Sequence, residues 1–202
     1  PSNSSCLNNL EQMGEGWGDF YALVMTIRPN DTRTTSRAIG NYSYGEGISG
    51  RGIRNKLYST SMSVNNYTYS DLPATGGEEH NVGEIWATML WDLTWDLIDV
   101  HGFEPNLLAS TGGNNIAQQL VTDGYKLQQC NPGFVDGRDA ILLADQLNYK
   151  GAHQCLIWKA FARRGLGYSA KQGSSASIDD GIEAFDLPPT CQVATLAPIA
   201  AF

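Results

Sequence analysis

The sequence predicts a mainly α-helical lobe with minor short strands between residues 30 and 79. Two observations carry this. Apolar residues recur at three- and four-residue spacing in five separate segments, most strongly from about Glu79 to Val100. By contrast, residues 30–79 are rich in Asn, Ser, Thr, Tyr and Gly and hold only brief strand-like alternations.

From Cys6 to about Ile27 the pattern is helical, with Leu7, Leu10, Gly14, Trp17, Tyr21 and Val24 on one stripe. Gly14, Gly16 and Gly18 weaken that helix by roughly 1 kcal/mol each relative to Ala. Such a cost signals the close approach of a neighbour, either another helix or a metal. Pro29 ends the segment. The next stretch reads as ordered surface with turns, and Lys56-Leu57-Tyr58-Ser59-Thr60 as a minor strand. It carries too many tyrosines for a flexible linker.

Val82, Ile85, Trp86, Met89, Leu90, Leu93, Leu97 and Ile98 give the long helix a wide apolar face, and His101-Gly102 stops it. Further helices are expected at 114–127, 135–148 and 152–164. Asp136 lies near the start of the second of these, where a carboxylate suits the helix dipole. A last short helix is expected over 178–185, ended by Pro188-Pro189. There are no internal repeats. One lobe over 1–190 is expected, followed by a tail, 191–202, that is apolar from Ala194.

A net charge of −8 over 202 residues, with scattered Lys and Arg, argues against nucleic acid as a partner. No apolar run approaches the ~18 residues of a membrane span. The N-terminal Pro-Ser-Asn-Ser-Ser is not a signal peptide and lacks an initiator Met, as an excised or processed chain would. Cys6, Cys130, Cys155 and Cys191 form no Cys-x-x-Cys pair, which argues against a structural zinc site. Their even number and wide spacing suit two disulfides in an exported protein. Three pairings are open; the preferred one joins Cys130 to Cys155 and Cys6 to Cys191. Asn3, Asn30, Asn41 and Asn66 begin Asn-x-Ser/Thr sequons, which permit glycosylation.

Two places could carry chemistry. Glu15 and Asp19 stand four residues apart, hence on one helix face about 6 Å apart along the axis. One such carboxylate can bind zinc while the other orients a metal-bound imidazole. A solvated helix face has the same pattern. His80 lies where a loop enters the long helix, beside Glu78 and Glu79, placed to meet an oxyanion or to titrate near neutral pH. His101 and His153 read as structural or exposed. Asp136, Asp139, Asp179 and Asp180 could bind calcium but match no EF-hand loop. No phosphate-binding loop or nucleophile elbow is present.

Four ordered stretches resemble the fungalysin family of secreted zinc metallopeptidases. The first runs Cys6-Leu7-Asn8-Asn9-Leu10 through Met13-Gly14-Glu15-Gly16-Trp17-Gly18-Asp19-Phe20, and the second is His80-Asn81-Val82-Gly83-Glu84-Ile85-Trp86-Ala87. The third is Asp123-Gly124-Tyr125-Lys126-Leu127-Gln128-Gln129-Cys130-Asn131-Pro132, leading into 134–145, and the fourth is 157–167. The similarity extends to about Leu187.

The resemblance implies a thermolysin-like architecture, of which this chain is the helical C-terminal lobe. Glu15 matches the zinc-binding Glu, Asp19 the supporting carboxylate, and His80 the histidine that stabilises the tetrahedral oxyanion. In such a site zinc polarises the peptide carbonyl and activates water, and a separate Glu removes its proton. That Glu and two His ligands belong to a His-Glu-x-x-His helix. The sequence departs from the family here, since the motif is expected upstream of Pro1.

A catalytic zinc site needs three protein ligands and an open position. One matched ligand is offered, so the chain alone is expected to be inactive. The implied partners are a peptide or protein substrate and the lobe that carries His-Glu-x-x-His, and the implied location is extracellular. Zinc is the expected cofactor, with calcium possible. Segment 40–70 is expected to line the cleft, and Arg54 to contact substrate. The alternative is a non-catalytic helical binding or adhesion module built on the same scaffold.

Overall fold

A computed structural model describes residues 4–192. Five α-helices dominate: α1 (Gly14–Val24), α2 (Glu79–His101), α3 (Gly113–Leu127), α4 (Phe134–Tyr149) and α5 (Gln154–Arg163). Short 3-10 turns stand at Ser4–Cys6, Asn41–Tyr44, Tyr69–Thr75 and Pro189–Cys191. The helical lobe is as the periodicity predicts, with α2 as its axis.

Helix α2 is buried on nearly every side from Val82 to Ile98 and packs against α1, α3 and α5. Its Trp86 sits fully buried at the centre, with Phe134 and Trp17 edge-on and Phe161 tilted against it. Each such side chain contributes about 1.5–3 kcal/mol through burial. The helix also buries carboxylates and hydroxyls, and each of these has a partner. Thr88 and Thr94 donate back to the carbonyls of Glu84 and Leu90. Glu84 accepts the amides of Asn55 and Lys56 at 3.0 and 2.6 Å. Asp92 accepts from Arg163 and from the fully buried Arg164.

These polar anchors explain how the segment before α2 is ordered without a sheet. The expected minor strands do not form there; residues 30–79 contribute a single bridge, Arg37 with Tyr58. Arg164 instead donates to the carbonyls of Ser59, Asn65 and Tyr67, and Arg33 reaches Asp96 at 2.9 Å. Side chains of the helical core satisfy backbone that a neighbouring strand would otherwise satisfy.

Three other expectations are corrected. The first helix starts at Gly14, not Cys6. Residues 7–13 form a strap in which Asn8 and Asn9 bond to Asn131, Pro132 and Ser175. Asn side chains that reach such partners compete with helix formation. The last helix is also absent. Residues 182 and 184 instead form bridges with Lys171 and Leu166.

The disulfides are Cys6–Cys130 and Cys155–Cys191, not the preferred pairing. The first ties the strap to the approach to α4, and the second ties α5 to the last 3-10 turn. Of the tail expected over 191–202, residues 193–202 lie outside the described part. Among the described residues no helix is long and apolar enough to cross a membrane.

Candidate active site

The first turn of α1 and the first turns of α2 cross with their backbones in contact. A Cβ on Gly16 would stand 2.3 Å from the Gly83 carbonyl oxygen, and one on Gly83 would stand 2.4 Å from the Gly16 nitrogen. Only glycine at both positions permits the crossing. The expected close neighbour is thus α2, and it is met at Gly16 alone; Gly14 faces Gln12 and Leu7. Gly18 faces open space.

The crossing brings two predicted residues together. The Nε2 atom of His80 lies 3.6 Å from Glu15 Oε2, with both side chains close to half exposed. Behind them Asp19 is buried. Arg54 grips it with Nε at 2.6 Å and Nη2 at 2.7 Å, and the Tyr58 hydroxyl donates to the same carboxylate. The Nη2 group also donates to Glu15 Oε2 at 3.1 Å. The four residues singled out from sequence therefore occupy one site. Glu15 and His80 form its open face, and Asp19 and Arg54 form its floor.

The loop that delivers Arg54 is held by Glu84, which accepts the amides of the next two residues. Burial raises the pKa of Glu84, and those amide bonds work against the rise. Tyr58 is pushed well above its ordinary value by burial and by the Asp19 charge. For Arg54 burial lowers the pKa, but the bonds to Asp19 outweigh it and the net direction is up. On the open face, His80 Nδ1 bonds Glu78, which also caps α2 by accepting the Asn81 amide at 2.9 Å. The His80 pKa is raised, chiefly by the Glu78 bond, with the charges of Glu15 and Glu78 adding and partial burial and Arg54 opposing.

Sequence reasoning missed Tyr58 and Glu84 as parts of the site, while Glu78 was marked by its place beside His80. A carboxylate at position 84, inside an otherwise apolar helix face, is the one local signal that could have marked Glu84. Arg54, expected at the substrate, has Nε and Nη2 committed to carboxylates and is 7% exposed. An open depression lined by Tyr44, Glu46, Arg51, Ile53, Arg54 and Asn55 adjoins it.

The donors present do not make a metal site alone. Among the described residues no group of three or more His, Cys, Asp or Glu is arranged to hold an ion. Glu15 and His80 supply one carboxylate and one imidazole, short of the three protein ligands a catalytic zinc requires. Three of the four acidic residues considered for calcium have their carboxylates engaged with the protein. Asp136 accepts the Gly133 amide, Asp139 pairs with Arg138, and Asp180 accepts the Ser174 amide.

Residues 1–170 match the model of the family described as fungalysin metallopeptidase (M36). The chain belongs to that family. It is 44% identical over 200 residues to "Extracellular metalloproteinase 2" of Trichophyton tonsurans, which covers 95% of this chain and 30% of that protein. It is 45% identical over 199 residues to "Extracellular metalloproteinase 3" of Arthroderma benhamiae, with the same coverage. This fungalysin chain thus spans about 30% of the length of the curated relatives it matches. Glu15, Asp19, Arg54 and His80 all fall within the matched residues.

Proposed function

We propose that this chain is part of a secreted zinc-dependent metalloendopeptidase. Glu15 acts in it as a metal ligand and His80 as the donor to the oxyanion of the tetrahedral intermediate. The observation that carries the reading is the 3.6 Å approach of His80 Nε2 to Glu15 Oε2 on an open face. Both side chains are held at that face by a glycine-to-glycine helix crossing.

The residues of this chain have separable tasks in that reading. Arg54 fixes Glu15 through Oε2. No hydrogen bond within the described residues reaches Oε1, which leaves it free as a ligand atom. Glu78 holds Nδ1 of His80, so Nε2 is the nitrogen presented to a substrate oxygen. A protonated His80, favoured by its raised pKa, donates there. Asp19 is a positioning residue that anchors Arg54. The two remaining protein ligands and the general base belong to a His-Glu-x-x-His helix outside this chain. The substrate is a peptide or protein, and the location is extracellular, as the names of the relatives indicate.

The test is complementation. The chain alone is expected to leave casein intact with zinc present. Combined with a separately produced polypeptide that carries the His-Glu-x-x-His segment, it is expected to cleave casein, and Glu15→Gln is expected to abolish that cleavage. Zinc-dependent cleavage by the isolated chain, or full activity of the complemented Glu15→Gln variant, sinks the proposal. Glu15, Asp19 and His80 together favour this reading over a binding module, which has no use for a carboxylate–imidazole pair at an open surface.

A further inference from the structure

The third and second histidines of the chain meet at the far end of α2, about 30 Å from His80 at 1.5 Å per helical residue. His101 is the last residue of α2 and is exposed, while His153 stands just before α5 and is buried. Their ring centroids are 5.0 Å apart. We propose that His101 and His153 form a chelating site for a divalent transition-metal ion of the zinc type, completed by water.

Three features support a ligand site over a chance ring contact. The first is orientation. Asp145, fully buried, accepts from His153 Nδ1 at 2.8 Å and from the His153 backbone amide at 3.1 and 3.3 Å. Gln154 Nε2 donates to the same carboxylate at 3.0 Å. In the tautomer that donates its Nδ1 proton to Asp145, the lone pair of the ring is on Nε2. This carboxylate–histidine arrangement is the one that fixes the tautomer and raises the basicity of metal-binding imidazoles. Tyr149 packs edge-to-face on His153, with centroids 4.8 Å apart, and restricts the ring further.

The second feature is an unused nitrogen. Although His153 is 6% exposed, no hydrogen bond among the described residues reaches its Nε2. A buried ring is thus oriented with care at one nitrogen and left without a protein partner at the other.

The third is spacing. Two imidazoles on one tetrahedral ion, with metal–nitrogen bonds of 2.0–2.1 Å, place their centroids about 5 Å apart. The rings meet in a T-shaped contact at 74°, so His101, at the exposed end of α2, turns a ring nitrogen towards His153 Nε2 when both bind one ion. Imidazole pairs suit zinc, copper and nickel rather than calcium or magnesium. A bound ion would pin the end of α2 to the start of α5.

The experiment is calorimetric titration of Zn²⁺ into the chain carrying His80→Ala, which removes the imidazole at the other face. Histidine ring nitrogens are followed in parallel by long-range ¹H–¹⁵N correlation. One equivalent is expected to bind and to shift Nε2 of His153 and a ring nitrogen of His101. His101→Ala, a change at an exposed position, is expected to weaken binding about tenfold or more. Asp145→Asn is expected to weaken it roughly 10–100-fold, as loss of an outer-shell carboxylate does. Absence of zinc uptake, uptake unchanged by His101→Ala, or His153 nitrogen signals that stay fixed during the titration would each overturn the proposal.

Discussion

Arg54 joins Asp19 to Glu15. One guanidinium grips both oxygens of the buried carboxylate and reaches the exposed one at 3.1 Å. The exposed face of the site therefore rests on a buried ion pair, and its geometry depends on a loop rather than on α1 alone. Removing Arg54 leaves Asp19, with 4% side-chain exposure, as an unpaired buried charge. Such a loss costs about 3–5 kcal/mol. Arg54→Ala is expected to lower the urea unfolding midpoint accordingly. Arg54→Lys recovers only part of it, because an ammonium cannot reproduce the two-point grip. Equal stability of wild type and Arg54→Ala would show that the Tyr58 hydroxyl alone suffices for Asp19.

The glycines of α1 separate into two kinds, and substitution distinguishes them. At Gly16 an added methyl collides with the Gly83 carbonyl at 2.3 Å, and the neighbour is backbone that cannot move aside cheaply. Gly16→Ala is expected to destabilise by about 1–3 kcal/mol or more, as overpacking does. It should also part His80 from Glu15. At Gly18 nothing stands within 4 Å of an added methyl. There Gly→Ala is expected to stabilise by roughly 0.5–1 kcal/mol through helix propensity. Thermal unfolding of the two variants should shift in opposite directions.

Glu11 makes the stability of the strap depend on pH. Its carboxyl is buried, accepts from Tyr69 Oη at 2.9 Å and from the Phe134 amide at 3.1 Å, and has its pKa pushed up to about 7. Burial is the main cause; the two hydrogen bonds oppose it, and the charges of Asp180 and Asp136 add to it. An acid whose folded pKa lies above its unfolded value binds its proton more tightly when folded. Its contribution is therefore full below about 4.5 and is lost as pH rises towards about 7. The loss is on the order of a few kcal/mol. Urea midpoints should fall between about pH 4.5 and 7 in wild type. In Glu11→Gln that part of the fall should vanish.

The site was more legible than its supports, and the reason is range. Glu15 and Asp19 share a helix face by spacing alone, and His80 is marked by its place at the mouth of a long helix. Tyr58 and Glu84 act through partners 39 and 29 residues away, which no local pattern records. The same holds for the fold. Helices α2 to α5 follow from apolar periodicity that their own residues carry. The strap 7–13 and the segment 178–185 have helix-like spacing, yet their backbone groups are taken by Ser175, Lys171 and Gly165 from elsewhere in the chain. The disulfide pairing depends on those same distant contacts, and the preferred pairing of Cys130 with Cys155 and Cys6 with Cys191 is not the one they bring together.

His80 offers the most direct check on the open face. Its proton is held above the ordinary histidine range, mainly by the Glu78 bond. A raised imidazole pKa means that the charged form persists to higher pH and is lost as pH climbs through the raised value. The chemical shift of the His80 ring proton, followed by NMR, should therefore titrate above 6.5 in wild type. Glu78→Gln removes the charged acceptor and should move the midpoint down. Glu15→Gln should move it down by less, since that carboxylate acts through charge at 3.6 Å rather than through a hydrogen bond. In the complemented enzyme the alkaline limb of the activity profile should follow the same order, because the donor is lost when His80 deprotonates. A limb that ignores Glu78→Gln would assign the donor proton to another group.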